Sequence, residues 1–136
     1  MSFENLYKAP FLKLKEKIID IPDAFEQVVL AEQFQVAFPM VTINPDECPI
    51  NQNIMDSLQL SINCRISFLI KQYEPKDWFK EIVPLMSKVM DIIIADRTID
   101  STCHDCTPTA FNVGIMEVKD QTYYGGYIDL LVEVHV

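Results

Sequence analysis

Between Leu58 and Ile70 the chain places an apolar residue at every second position. Leu58, Leu60, Ile62, Cys64, Ile66, Phe68 and Ile70 alternate with Ser57, Gln59, Ser61, Asn63, Arg65 and Ser67. A period of two lines up one face of a β-strand, whereas a helix would scatter the same residues around its axis. At about 3.3 Å per residue this run spans roughly 43 Å, well beyond the usual strand of about five or six residues. One end of so long a strand is expected to lie outside a small core, in a subunit contact.

Other segments have weaker but readable periods. Ala9-Pro10 followed by Phe11, Leu14 and Ile18 predicts a short amphipathic helix with Pro10 in its first turn, ended by Ile21-Pro22-Asp23. Ala24 to Leu30 and Gln35 to Ile43 read as strands, and Phe38-Pro39 places the second at an edge or just where pairing begins. Asn44 to Asp56 reads as a loop. A second helix is expected from Glu74-Pro75, with Trp78, Ile82, Leu85, Met86, Val89, Ile93 and Ile94 as its apolar stripe and a kink or restart at Pro84. Asp100 to Pro108 is turn-rich. Thr109 to Val118 and Gly126 to Val136 form a closing hairpin around Lys119-Asp120-Gln121. The expected class is α+β: a mainly antiparallel sheet with two helices packed on one face, in the order α-β-β-β-α-β-β.

Composition bounds what such a domain does. The 136 residues match one domain, and 49% apolar with 23% charged residues is ordinary globular usage. Eleven basic residues against twenty acidic ones give a formal charge of −9, which argues against gripping nucleic acid or an anionic membrane. The largest basic run, Lys13, Lys15 and Lys17, reads as a solvated helix face. Met1 to Pro10 has no secretory pattern, and no apolar stretch approaches the roughly 18 residues of a transmembrane helix.

Candidate chemistry is thin. Cys103-His104-Asp105-Cys106 supplies a C-x-x-C pair, with His135 a distant third donor, but zinc needs four ligands and no second half-site is present. Its position after a helix and before a strand also differs from a thioredoxin-like thiol at a helix N-terminus. The reading adopted is a polar loop with ordinary thiols, with no metal. His104 and His135 are far apart, and there is no nucleophile elbow, P-loop or G-x-G-x-x-G. No catalytic residue and no cofactor is assigned. Asp46 and Glu47 in the long loop, and Tyr123, Tyr124 and Tyr127 around Gly125-Gly126, are the candidate interface residues, since tyrosines are enriched at protein interfaces. The two glycines permit a bulge, a sharp bend or a close backbone approach at a strand mouth, and the plainer reading is a turn with half-buried tyrosines.

The order of these parts resembles the tail terminator (tail completion) proteins of long-tailed bacteriophages and prophages. The resemblance runs from about Phe11 to the end. It rests on a short first helix, Phe38-Pro39-Met40-Val41-Thr42-Ile43, the long alternating strand, a helix carrying Ile82-Val83-Pro84-Leu85-Met86, and a terminal hairpin with Tyr127-Ile128-Asp129-Leu130-Leu131-Val132-Glu133-Val134. It implies a hexameric ring that caps the tail tube, stops its polymerisation and presents a surface to the head–tail connector protein. DNA would only pass through the channel. Such a protein is made in the bacterial cytoplasm, ends up in the virion at the tail–head junction, has no membrane partner and is not an enzyme. Two further readings are another phage neck adaptor and a small α+β enzyme or ligand-binding domain with its pocket near His104 or His135. A zinc-dependent adaptor is a third.

Overall fold

The structure, a computed structural model, describes residues 2–30, 38–46, 48, 50–52, 58–71, 77–118 and 120–135. Its elements are α1 (Phe3–Ile19), β1 (Gln27–Leu30), β2 (Met40–Pro45), β3 (Ile50–Gln52), β4 (Leu58–Lys71), α2 (Trp78–Ala95), β5 (Asp105–Val118) and β6 (Gln121–His135). The strands make one mixed sheet in the order β1-β2-β4-β6-β5, with β3 added beside β4. Only β1 and β2 run parallel. The α+β class and the predicted order hold, with the three-residue β3 as an addition.

β4 is the interior strand. It pairs with β6 from Gln59 to Lys71, with β2 over Cys64 to Leu69 and with β3 over Leu58 to Leu60. The expected projecting end is therefore absent: β3 covers the stretch that β2 is too short to reach. That pairing also corrects the reading of Asn44–Asp56 as a loop, because β2 continues through Pro45 and β3 follows. Residues 47, 49 and 53–57 of that stretch lie outside the described residues.

Every second residue of β4, from Leu60 to Ile70, is buried beneath the helices. Leu60, Ile62, Cys64, Ile66, Phe68 and Ile70 pack with Phe11, Leu14 and Ile18 of α1 and with Ile82, Met86, Val89 and Ile93 of α2. Both helices thus cover the same sheet face, α1 above β1 and β2, α2 above β4, β6 and β5. A smaller cluster of Val29, Met40, Leu69 and Tyr123 lies on the opposite face. The register agrees, since Met40 stands opposite Leu69 while Val41 stands opposite Phe68.

Local chemistry explains where the helices differ from expectation. α1 begins at Phe3 because the Ser2 hydroxyl accepts a hydrogen bond from the Asn5 backbone N–H at 3.3 Å. Phe3 stacks on Tyr7 with ring centres 6.1 Å apart, and Tyr7 meets Phe11 in a tilted contact at 5.8 Å, each pair four residues apart. Pro10 is consequently buried in the helix interior, not in its first turn. Lys13 and Lys17 are also more than a solvated face: they reach Asp100 and Asp96 beyond the end of α2, at 3.2–3.9 Å. α2 runs unbroken through Pro84, so of the two readings, kink or restart, the restart is excluded. Ile94 leaves the apolar stripe and is exposed. The start predicted at Glu74-Pro75, like residues 35–37 of the second strand, lies outside the described residues. β2 begins at Met40, directly after Phe38-Pro39, as the proline predicts.

The connection after α2 is tied by one carboxylate. Asp96 accepts hydrogen bonds from the Thr98 amide and hydroxyl and from the Asp100 amide. These donors hold its pKa down at about 2. Ile99, Asp100 and Ser101 all adopt positive φ, a costly conformation for a β-branched residue, and Ile99 is buried in the core in return. β5 then starts at Asp105, four residues before the predicted strand.

β6 starts at Gln121, so the tyrosine–glycine segment is continuous strand and not a turn. The glycines serve close packing. A Cβ on Gly125 would collide with the Phe68 carbonyl of β4, and one on Gly126 would meet the Asn112 carbonyl and lie 2.9 Å from Met86 Sδ. At Gly114 the nearest atom would be 3.8 Å away. Overpacking of this kind costs roughly 1–3 kcal/mol. Gly125→Ala and Gly126→Ala are therefore expected to lower the urea midpoint by at least that equivalent, while Gly114→Ala stays within about 0.5 kcal/mol of the parent. Equal effects at all three positions would contradict the close approach.

Candidate functional surfaces

The helix-free face of the sheet carries a polar hollow. Its floor comes from alternate residues of the central strands, whose partners point into the core. Asn63 and Arg65 of β4, Asn44 of β2 and Asp129 of β6 line it, with Asp46 after β2 and Thr109 and Glu117 of β5 around the rim. The depression holds about 600 Å³. At its centre Arg65 donates two hydrogen bonds to Asp129, Nε to Oδ1 at 2.8 Å and a terminal nitrogen to Oδ2 at 3.0 Å. The guanidinium lies 3.8 Å from the centre of the Tyr127 ring, a cation–π contact. Asp129 beside it raises the Arg65 pKa. A cation held by a bidentate carboxylate and a ring face is largely committed within the chain, and the remaining carboxylates make the hollow acidic.

This places the predicted interface residues. Asp46 and Tyr127 share the hollow's region, Asp46 on its rim with its amide donating to the Asn63 carbonyl at 2.6 Å. Tyr123 points to the same face, but it is buried against Phe38 with ring centres 5.7 Å apart and is structural. Tyr124 alternates to the helix-bearing face and is half-buried. Glu47 lies outside the described residues. The five are not one patch.

The cysteine segment is also relocated. Cys103 and Cys106 are buried and belong to the core, with Cys106 already inside β5. This corrects the polar-loop reading: the thiols are hydrophobic side chains under the turn. Cys103 Sγ donates to the Arg97 carbonyl at 3.6 Å. Burial pushes the Cys103 thiol up to about 11, and the Cys64 and Cys106 thiols to about 12. The neutral form is thus favoured, the opposite of an activated nucleophile.

The fold does bring His104 and His135 together. Their rings stack at 4.2 Å, inclined by 17°, because the His104 amide donates to the Glu133 carbonyl alongside the end of β6. Beside them is a depression of about 430 Å³ that also contacts Asn5, Leu6 and Ala9 of α1. Stacked imidazoles do not converge lone pairs on one ion. Among the described residues no group of three or more His, Cys, Asp or Glu side chains is arranged to hold a metal.

Sequence reasoning missed the apolar surface. Among the described residues the exposed large apolar side chains are Phe3, Leu12 and Ile19 of α1, Phe79 and Ile94 of α2, and Phe111 and Ile115 of β5. Phe111 and Ile115 look like core residues in the sequence, alternating with polar neighbours. The register shows why they are not: Phe111 stands opposite Ile128 on the helix-bearing face, but β5 is the last strand and lies at the margin of what α2 covers. No helix among the described residues is long and apolar enough to cross a membrane.

Comparison with protein-family models and with curated proteins finds no match to this chain.

The thiols provide a direct test of the packing. In native protein at pH 8, a thiol reagent is expected to reach half-buried Cys48 first, and Cys64 and Cys106 only on unfolding. Cys64 and Cys106 ionise near 9 when unfolded and near 12 when folded. Their contribution to stability is complete below pH 9 and is lost as pH rises toward 12. Urea midpoints should fall over that interval, and replacing both cysteines by Ala should flatten the fall. Rapid native labelling of Cys64 would refute this burial.

Proposed function

We propose that this chain is a structural protein of phage or prophage tail assembly, a terminator that forms a hexameric ring on the tail tube, stops its growth and receives the head connector. It works by binding and not by catalysis, and it acts in the virion at the tail–head junction. The reading rests on the order and spacing of elements quoted above. The observation that carries it is the free edge of β5, a strand of fourteen residues with no partner on its outer side among the described residues. Folded proteins usually protect such an edge with proline, charge or a bulge. Here Pro108 and the bulge between Pro108 and Ala110 protect only the beginning, leaving Phe111 to Val118 open with Phe111 and Ile115 exposed. Strand addition at an open edge is a common mode of protein association.

The acidic balance of the chain fits a channel through which DNA passes without adhering. A neck adaptor elsewhere in the head–tail joint would share these surfaces and is the second reading. A small enzyme is less well supported, because neither hollow combines an activated nucleophile with a base.

Purified protein mixed with polymerising tail tube protein should shorten the tubes and appear at their ends as rings in negative-stain images, with six copies per ring by native mass spectrometry. A chain that stays monomeric at high concentration, and leaves tube length unchanged, would sink the proposal. Rings that bind the connector but ignore the tube would favour the neck adaptor.

A further inference from the structure

The hollow on the helix-free face is a built arrangement that the packing of the fold does not require. At about 600 Å³ it falls among small-ligand sites, which hold roughly 300–1,000 Å³. The strand register lays out its floor as a grid. Asn44 of β2, Arg65 of β4 and Asp129 of β6 stand opposite one another in one row. Asn63 lies one step down β4 and Ser67 one step up, both on the same face as Arg65. Asp46 joins the row of Asn63, whose carbonyl accepts a hydrogen bond from its amide.

Ser67 is the residue that folding leaves unexplained. It is only 7% exposed and lines the hollow, yet its hydroxyl forms no hydrogen bond among the described residues. Polar side chains buried to this degree are normally paired, because a hydroxyl stripped of water without a partner is costly. Among the described residues no fully enclosed side-chain oxygen or nitrogen lacks a partner, so the Ser67 hydroxyl opens into the space it lines. Two residues on, Leu69 continues the same face of β4 into an apolar cluster. At Ser67 the chain instead directs a donor and an acceptor into the hollow.

We infer that the hollow binds a neutral polyhydroxylated ligand, a short unbranched saccharide. The mixture of groups decides the class. Arg65 and the amides of Asn44 and Asn63 supply N–H donors, Asp46, Asp129 and the amide oxygens supply acceptors, and Ser67 supplies both. Each sugar hydroxyl is donor and acceptor at once, so it finds a partner at every point of this grid. An anion would meet Asp46 and Asp129, with Arg65 already held by Asp129 at 2.8 and 3.0 Å. A cation would meet the guanidinium at the centre. Planar guanidinium, amide and carboxylate groups suit pairs of adjacent hydroxyls, as their forked geometry suits other bidentate partners. Met116 adds an apolar wall for the C–H face of a sugar ring. The contacts of Arg65 with Asp129 and the Tyr127 ring fix the guanidinium in advance, which lowers the ordering cost of binding. The inference is independent of the tail role.

The test is a printed array of neutral glycans, followed by isothermal titration calorimetry of the full chain with maltotriose, cellotriose and chitotriose. At least one trisaccharide should bind saturably, one per chain. Ser67→Ala and Asn63→Ala should each weaken it by about threefold to tenfold, the weight of one hydrogen bond. Asp91→Asn, at an exposed position on α2, should bind like the parent. Circular dichroism and urea midpoints confirm that each variant is folded. Absence of saturable binding by all three sugars would overturn the inference, as would parental affinity in both hollow variants. Equal weakening by Asp91→Asn would reduce the effect to general surface attraction and overturn it too. Spermidine binding more tightly than every trisaccharide would make the hollow a cation site and end the saccharide assignment.

Discussion

The fold depends on burying one side of β4. Its alternate residues from Leu60 to Ile70 meet both helices, and its backbone is satisfied on one edge by β6 and on the other by β2 and β3. Burying a side chain of this size is worth about 1.5–3 kcal/mol, and unpaired backbone groups in such a position would be costly. The strand can be long because neighbours of different lengths share its two edges. Gly125 and Gly126 maintain the contact by letting β6 approach Phe68 and α2 without a Cβ between them.

Helices on one face only make the molecule asymmetric. The other face combines a small apolar cluster around Tyr123 with the polar hollow centred on Arg65 and Asp129. That ion pair is half-exposed on the Arg65 side, where such pairs contribute at most about 1 kcal/mol, so it shapes the surface more than it stabilises the fold. The helix layer stops short of β5, leaving apolar residues and an open strand edge at one margin. At the other margin α1 presents Leu12 and Ile19. An isolated exposed leucine needs no explanation, but two apolar margins on opposite sides of one sheet do.

The proposed assembly role draws on these surfaces and not on a reactive site. The groups that first suggest a reactive site, Cys103 and Cys106, are turned inward and held neutral by burial. The histidine pair comes close in space yet faces no activated partner. The acidic chain and the open β5 edge are instead the features on which the proposed assembly role rests.

What the amino-acid sequence determined by itself was the class of each strongly periodic segment. Period-two alternation from Leu58 to Ile70 specifies a one-sided strand, the Met86-centred stripe specifies a one-sided helix, and Phe38-Pro39 marks where β2 begins, because these follow from local geometry. Boundaries were less legible: the Ser2 cap starts α1 well before Pro10, and of the bulge, bend or close approach that Gly125-Gly126 permit, only the assembled sheet selects the close approach. Position in the sheet was not legible at all. Phe111 and Ile128 are both apolar residues in alternating strands, yet one is exposed and the other buried. Only strand order decides that, since it sets which side chains the helices reach. The same holds for Asp46 and Tyr127, the stacked histidines and the two apolar margins, which join residues distant in sequence and exist only once the sheet is assembled.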